Sequence, residues 1–373
     1  MDPLLAFLGK LVEIESPSDH KPSVDRCAEF LADSFSPLAA VRLHRARDYG
    51  SHLRAEFRLP GRRKEGQILL LGHHDTVYPQ GTLRHMPFRT TADRAYGPGV
   101  FDMKGGIAIA FFALQALRDL DRPIARRIVL QLNSDEEIGS PSSRPLTEAE
   151  AKKSAAVLVL EPSAGLDGKV KTARKGVGSY LLRVQGRAAH AGLDFEAGAS
   201  AILELSRQLL RISSFTDLAR GITVSPGVIT GGTRSNVIPE NASAEIDIRI
   251  ARLSDAARLD KKFHSLRPQD RRCSLTVEGG LNRPPLERSA AVRQLYRQAR
   301  RIASGLGIPL GETQVGGGSD GNFTAALGIP TLDGLGAVGE GAHSPQESIL
   351  LNRLPDRVAL IAQLLLVCPE PQP

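Results

Sequence analysis

The chain reads as an α/β protein with a mostly parallel sheet, interrupted by an inserted ferredoxin-like α+β unit. Three observations predict this. Apolar strand-like runs alternate with helical spacings as far as Glu161. From about Gly176 the rhythm changes to β-α-β-β-α-β, and after Pro284–Pro285 the alternation of helix and strand resumes. A length of 373 residues exceeds one ordinary core and favours two domains.

Taken in order, Met1–Leu8 lacks a basic flank, and Lys10 and Glu13 end its short apolar run. A first amphipathic helix is expected there, and neither a signal peptide nor a membrane span. Ser23–Phe35 carries helical spacing at Val24, Cys27, Ala28, Phe30 and Leu31, and Arg54–Leu59 alternates like a strand before Pro60–Gly61 turns it. Ile68–Leu71 is a buried strand that Gly72 ends, leading into His73, His74 and Asp75. The Gly- and Pro-rich loop Tyr96–Gly106 opens into an apolar helix, Ile107–Leu120. Strand Arg127–Asn133 stops at Ser134-Asp135-Glu136-Glu137, and strand Ala155–Leu160 stops at Glu161-Pro162. In parallel sheets functional groups gather beyond the carboxyl ends of the strands, where His73, Glu136, Glu137 and Glu161 all fall.

The insertion reads as strand Ser179–Gln185, helix Glu196–Arg211, strands Ile222–Thr230 and Ala242–Ile250, helix Ser254–Leu266 and strand Cys273–Glu278. Helix Ala290–Leu306, a strand at Pro330–Leu332, the turn around His343, helix Leu354–Val367 and a polar Pro-rich tail complete the chain.

A net charge of +7 is spread over arginines along the whole chain rather than clustered, and aromatics make up 5% with no tryptophan. Neither a nucleic-acid patch nor a stacking platform is supplied, so no nucleic-acid partner is expected. The charge reads as surface basicity that attracts anionic substrates. Cys27, Cys273 and Cys368 lie far apart with no C-x-x-C spacing, which suggests neither a disulfide framework nor a thiolate zinc site and fits a reducing cytoplasm.

His73 and Asp75 stand two apart in extended backbone and share a face, the arrangement in which an acid orients a metal-binding imidazole from behind. Two imidazoles (His73, His343) and three carboxylates (Asp102, Glu137, Glu161) are too many for one tetrahedral ion. They divide between two ions, His73 with Glu161 and Glu137 with His343, bridged by Asp102. Mixed nitrogen and oxygen ligands suit Zn²⁺, with Co²⁺ or Mn²⁺ as alternatives. Two such ions ~3.5–4 Å apart lower the pKa of a water and polarise a carbonyl. Glu136, left over beside a ligand, suits a general base. Each residue has a plainer reading: Asp102 as a helix cap, Glu136 and Glu137 as a solvated strand end, His343 as a loop histidine. Glu161 after a wholly apolar strand is the most telling, because carboxylates beside buried strands are rare without a partner.

Gly72–Val77, Gly97–Gly106, Asp135–Ser140, Leu160–Ser163 and Ala342-His343-Ser344 together resemble, in order, the signatures of the M20 metallopeptidase family. Asp75–Tyr78 and Ala95–Gly99 are most similar to its glutamate carboxypeptidase branch. The resemblance implies a di-zinc catalytic domain (1–176 and 284–373) and an inserted lid domain (177–283) that often dimerises. It implies His73, Asp102, Glu137, Glu161 and His343 as metal ligands, Glu136 as the base, Asp75 as the acid behind His73, and a cis peptide bond after Asp102. In the lid it implies that His190, in Gly186–Gly192, stabilises the oxyanion, and that Asn236 and Arg249 bind substrate. Without the resemblance His190 reads as a turn histidine and Arg249 as the solvated face of a strand. Gly316–Gly321, with Gly318 and Ser319, resembles the family's glycine-rich substrate loop. Its lack of a Gly-Lys-Ser/Thr ending argues against a phosphate loop. Arg283 is a further candidate for meeting a substrate carboxylate. The implied activity is hydrolysis of an amide next to a free carboxylate in a small peptide. Deacylation of an N-acyl amino acid is the alternative, and a metal-dependent binding protein without turnover a third.

Overall fold

The structure, a computed structural model, describes residues 2–61 and 64–367; Cys368 and the Pro-rich tail lie outside the described residues. It divides into two compact units. One comprises Met1–Ala173, Arg288–Val315 and Ser319–Pro373, the other Arg174–Glu287 with Gly316–Gly318. The small unit therefore begins before the expected 177, ends after the expected 283, and includes Gly318.

The large unit is built on a six-stranded sheet in the order 39–44, 52–57, 127–133, 67–73, 156–159, 331–332. Strand His52–Phe57 runs antiparallel to both neighbours; the remaining pairings, from Arg127–Asn133 across to Thr331–Leu332, are parallel. Strand Gln67–His73 lies in the middle and is buried along its whole length, as its apolar run requires. Register sets His73 opposite Asn133 and Leu71 opposite Val159, so the three carboxyl ends that carry Asp75, Glu136, Glu137 and Glu161 open at one edge.

Helix Gly105–Asp119 packs with Ile107, Ile109, Leu114 and Leu117 fully or nearly fully buried, each worth about 1.5–3 kcal/mol over exposure. The stretch Val100–Asp119 is long and apolar enough to cross a bilayer, and most of it is buried inside the unit, so its hydrophobicity goes into the core.

The small unit is a four-stranded antiparallel sheet in the order 223–231, 241–250, 176–185, 274–283, with helices Ala201–Ser213 and Ala256–His264. By position in the chain the order is 2-3-1-4, the split β-α-β arrangement expected from the rhythm. Its core joins Tyr180, Leu182, Val184, Leu205, Ile246, Ile248 and Phe263.

Several elements differ from expectation. The first helix of the insertion starts at Ala201, not Glu196: Ser200 is extended and its side chain accepts from Leu203 N, a cap that fixes the start. Strand Ala39–His44, helices Arg144–Ala151 and Gly321–Ala326, and the small sheet formed by 339–340, 348–350, 94–96 and 89–90 were not anticipated.

Candidate active site

His73 closes the central strand. Its backbone N–H donates to the Met103 thioether at 3.2 Å, and Gly72 leaves room for that side chain: a Cβ there would stand 2.4 Å from Met103 Cε. Nδ1 of His73 lies 3.0 Å from the Asp75 carbonyl oxygen, which can only accept, so Nδ1 carries the proton and Nε2 offers its lone pair. The neighbouring His74 points the other way. It is fully buried against the Ser51 carbonyl at 3.0 Å, and burial lowers its pKa to about 4, so it is neutral and structural.

Around His73 Nε2 stand Asp102 Oδ1 at 3.3 Å and Glu161 Oε1 at 3.4 Å. Around His343 Nε2 stand Glu137 Oε2 at 3.3 Å and Asp102 Oδ2 at 3.5 Å. Asp102 thus turns one oxygen to each imidazole. Ligand-type atoms of His73, Asp102 and Glu137 lie within 4.8 Å of one another, as do those of His73, Glu136 and Glu161. The peptide bond Asp102–Met103 is cis, and His343 adopts a left-handed backbone at φ 61°.

Asp75 holds this cluster from behind. Fully buried, it accepts from Ser18 Oγ at 2.6 Å, Glu137 N at 3.2 Å and Glu136 N at 3.3 Å, and its Oδ1 lies 3.4 Å from His73 Nδ1. The Glu136–Glu137 turn is further anchored by Asp135, whose Oδ2 accepts from Ser142 N and Ser142 Oγ, each at 2.7 Å.

The electrostatics are those of a cation site. Burial pushes Glu137 up to about 7, with Asp102 adding to the rise. Against burial, His343 and His73 hold Asp102 well below the carboxylate range. The Asp102 and Glu137 carboxylates raise His343 to about 10. Positive charge on His343 thus balances carboxylates that a metal ion would otherwise neutralise. Among the described residues, Asp102 Oδ1 and Glu137 Oε1 are buried acceptors without a hydrogen-bond donor. The residues fit a pair of divalent cations, which His73, Asp102, Glu137, Glu161 and His343 would hold.

The sequence model of peptidase family M20/M25/M40 matches residues 69–367, most of the chain and all of these positions. The chain belongs to peptidase family M20/M25/M40. It is 31% identical over 369 residues to Carboxypeptidase G2 of Pseudomonas sp. (strain RS-16), a match spanning 97% of this chain and 88% of that protein. It is also 31% identical over 184 residues to acetylornithine deacetylase of Myxococcus xanthus, 46% of each chain. The M20 family metallo-carboxypeptidase Sso-CP2 of Sulfolobus solfataricus shares the fold, with a TM-score of 0.74 at 18% identity over 98% of this chain and 99% of that one. So does Bacillus subtilis YXEP, described as a dinuclear metal binding peptidase of the same family, with a TM-score of 0.68 at 15% identity over 97% and 98%. This member of the M20 family is a hydrolytic enzyme.

The remaining sequence-derived positions of this M20 chain lie in the small unit or in the glycine-rich loop. His190 is exposed, in a two-residue strand paired with Val237–Ile238. Its Nδ1 accepts from Gly192 N and Leu193 N, both at 3.1 Å, so Nε2 carries the proton outward. Asn236 is exposed beside it, its carbonyl accepting from Ala191 N at 3.0 Å. Arg249 is half-buried and forks onto Asp247 two residues earlier on the same strand face, Nε to Oδ1 at 2.9 Å and Nη2 to Oδ2 at 2.8 Å. Arg283 is buried, with Nη1 donating to Asn282 Oδ1 at 3.2 Å. Ser319, expected in the substrate loop, sits inside the large unit. It is fully buried, its hydroxyl donates to Asp333 at 2.6 Å and accepts from Gly321 N at 3.1 Å, and so it braces the loop.

Sequence reasoning missed the supports. Asp320 accepts from Ser140 Oγ and from Asn133 Nδ2 at 2.5 Å, fixing the far side of the Glu136–Glu137 turn. Glu347 is fully buried behind the Asp102 loop. A buried-strand neighbour such as Glu347, just before Ser348–Leu350, is the type of carboxylate whose position asks for a partner.

Proposed function

We propose that the chain is a two-metal amidohydrolase that cleaves an amide bond next to a free carboxylate, in the manner of a glutamate carboxypeptidase. The observation that carries this reading is Asp102, one oxygen toward His73 with Glu161 beside it and the other toward His343 with Glu137 beside it. Zn²⁺ is the ion we assign to both positions, on the mixed imidazole and carboxylate set, with Co²⁺ or Mn²⁺ as the alternatives. When bound, the pair supplies Lewis acidity at the scissile carbonyl and acidifies the attacking water. Glu136 takes the proton of that water and returns it to the leaving nitrogen. Asp75 keeps His73 and the Glu136–Glu137 turn in place.

To the small unit we assign the lid function. The Nε2–H of His190 serves as a donor for the developing oxyanion. Asn236 and Arg249 recognise the substrate, Arg249 by exchanging Asp247 for a substrate carboxylate, which its fork geometry suits. Strand Thr223–Gly231 is an edge of the small sheet with Val228 and Ile229 exposed, and helix Ala201–Ser213 exposes Leu203 and Leu210. Such a surface supports a homodimer formed through this unit. A cytoplasmic location is proposed with it, on the cysteine spacing.

The carboxypeptidase reading is supported by the full-length similarity to Carboxypeptidase G2, and deacylation of N-acyl amino acids by the partial similarity to acetylornithine deacetylase. Hydrolysis of C-terminal glutamyl peptides and acyl-glutamates, set against N-acetyl and N-succinyl amino acids, before and after chelation, separates them. Two zinc equivalents and chelator-sensitive cleavage of the glutamyl substrates are expected. Cleavage confined to the acyl amino acids selects the deacylase, and tight peptide binding without turnover would leave a binding protein.

A further inference from the structure

Glu347 lies four residues beyond His343, is fully buried, and turns its carboxylate back under the loop that carries Asp102. Oε1 accepts from Phe101 N and Asp102 N, both at 2.8 Å. Oε2 accepts from Gly99 N at 3.0 Å and from the Tyr78 hydroxyl at 2.5 Å. That hydroxyl also stands 3.0 Å from the Ser344 carbonyl. Tyr78 is three residues past Asp75, Ser344 adjoins His343, and Gly99–Asp102 leads to the bridging aspartate. One carboxylate thus joins three of the segments that carry proposed ligands.

We propose that Glu347, with Tyr78, is the positioning residue of the two-metal centre: it presets the Asp102 backbone so that both carboxylate oxygens face the ions before metal arrives. The inference rests on the two-metal reading above. Three backbone N–H groups converging on one buried carboxylate are charge-assisted bonds that the loop cannot replace with water. With the clamp intact, Asp102 is ordered in the apoprotein, and metal binding does not have to order it. Without the clamp that ordering is charged to metal affinity, and groups behind metal ligands typically govern it by about 10- to 100-fold. Glutamine has the same outline but one acceptor oxygen, so its NH₂ must face either the Phe101 and Asp102 amides or the Gly99 amide.

The test is zinc binding by apoprotein in competition with a chromophoric chelator, for wild type, Glu347→Gln and Tyr78→Phe, alongside thermal melts. Wild type should take up two zinc equivalents; if it takes up none, the two-metal reading fails and not this inference. Glu347→Gln should melt cooperatively yet bind zinc about 10- to 100-fold more weakly, with the zinc concentration for half-maximal activation shifted by the same factor. Tyr78→Phe removes one of four donors and should weaken zinc binding about three- to tenfold; it carries the test alone if Glu347→Gln does not fold. A lower melting temperature with zinc affinity within about twofold of wild type in the variant that carries the test would mean that Glu347 only stabilises the fold, and would overturn the proposal.

Discussion

Replacing Asp75 by asparagine tests whether the carboxylate behind His73 organises the site. The substitution keeps the side chain's outline, so no cavity forms, but it turns one of two acceptors into a donor. If the NH₂ takes the Oδ2 position, Ser18 can rotate its hydroxyl to accept, whereas Glu137 N–H loses its acceptor; in the Oδ1 position Glu136 N–H loses its own. One buried backbone donor is orphaned either way, at about 1–3 kcal/mol. Both amide contacts are long, 3.2 and 3.3 Å, so the lower part of that range applies, about 1–2 kcal/mol. His73 should keep its tautomer, because Nδ1 also meets the Asp75 carbonyl oxygen at 3.0 Å, which the change leaves in place. Zinc affinity should fall by about 10- to 100-fold through the displaced Glu137 and the lost charge. Asp75→Ala orphans both amides and should cost more than Asp75→Asn. Denaturant unfolding of the apoproteins gives the stability term and competitive zinc titration the affinity. Wild-type values of both for Asp75→Asn, or identical losses for the two variants, would refute the reasoning.

Glu136→Gln should retain two zinc equivalents while kcat drops by about 10²–10⁴-fold; an active variant removes Glu136 as the base. At Gly106 a Cβ would stand 2.1 Å from the Leu160 carbonyl oxygen, a backbone atom that cannot step aside. Gly106→Ala must push helix Gly105–Asp119 off the strand leading to Glu161, at about 3 kcal/mol or more with loss of bound zinc, and a melting temperature within about 2 °C of wild type would contradict this. In the small unit, Glu204 has a buried side chain that accepts from Gln208 Nε2 at 2.7 Å, Gln269 N at 2.9 Å and Asp270 N at 3.0 Å. Burial opposes ionisation, yet these donors hold its carboxyl below the ordinary glutamate value. Its stabilisation is therefore complete above the unfolded pKa and is lost as pH falls through the lower folded one. Glu204→Gln should lower the melting temperature at neutral pH, by about 1–3 kcal/mol in stability, with the gap to wild type closing below about pH 4; a gap independent of pH would exclude the carboxylate as its source.

Which parts of the site were legible follows from who the partners are. His73, Glu137 and Glu161 sit at carboxyl ends of strands whose apolar runs are unmistakable in the sequence, and the parallel register does the rest by bringing those ends to one edge. Asp102 and His343 occur in glycine-rich segments, and their residue types match the chemistry the strand ends lack. Glu347 was silent because what it binds is backbone: the amides of Gly99, Phe101 and Asp102 lie some 245 residues earlier, and an amide looks the same whichever residue bears it. Asp320 was silent for a related reason, since its partners Ser140 and Asn133 are of types that occur everywhere along the chain. The bracing role of Ser319 was silent too, because its partner Asp333 lies fourteen residues on, beyond the glycine-rich loop. Strand Ala39–His44 does alternate, with Ala39, Val41 and Leu43 on one face, but it is a short sheet edge with only Ala39 buried. Candidate ligands therefore announce themselves by type at strand ends and in glycine-rich turns, whereas a carboxylate such as Glu347 answers to distant main chain. The sequence reading of such a centre is for that reason strongest for its candidate ligands and weakest for the groups packed behind them.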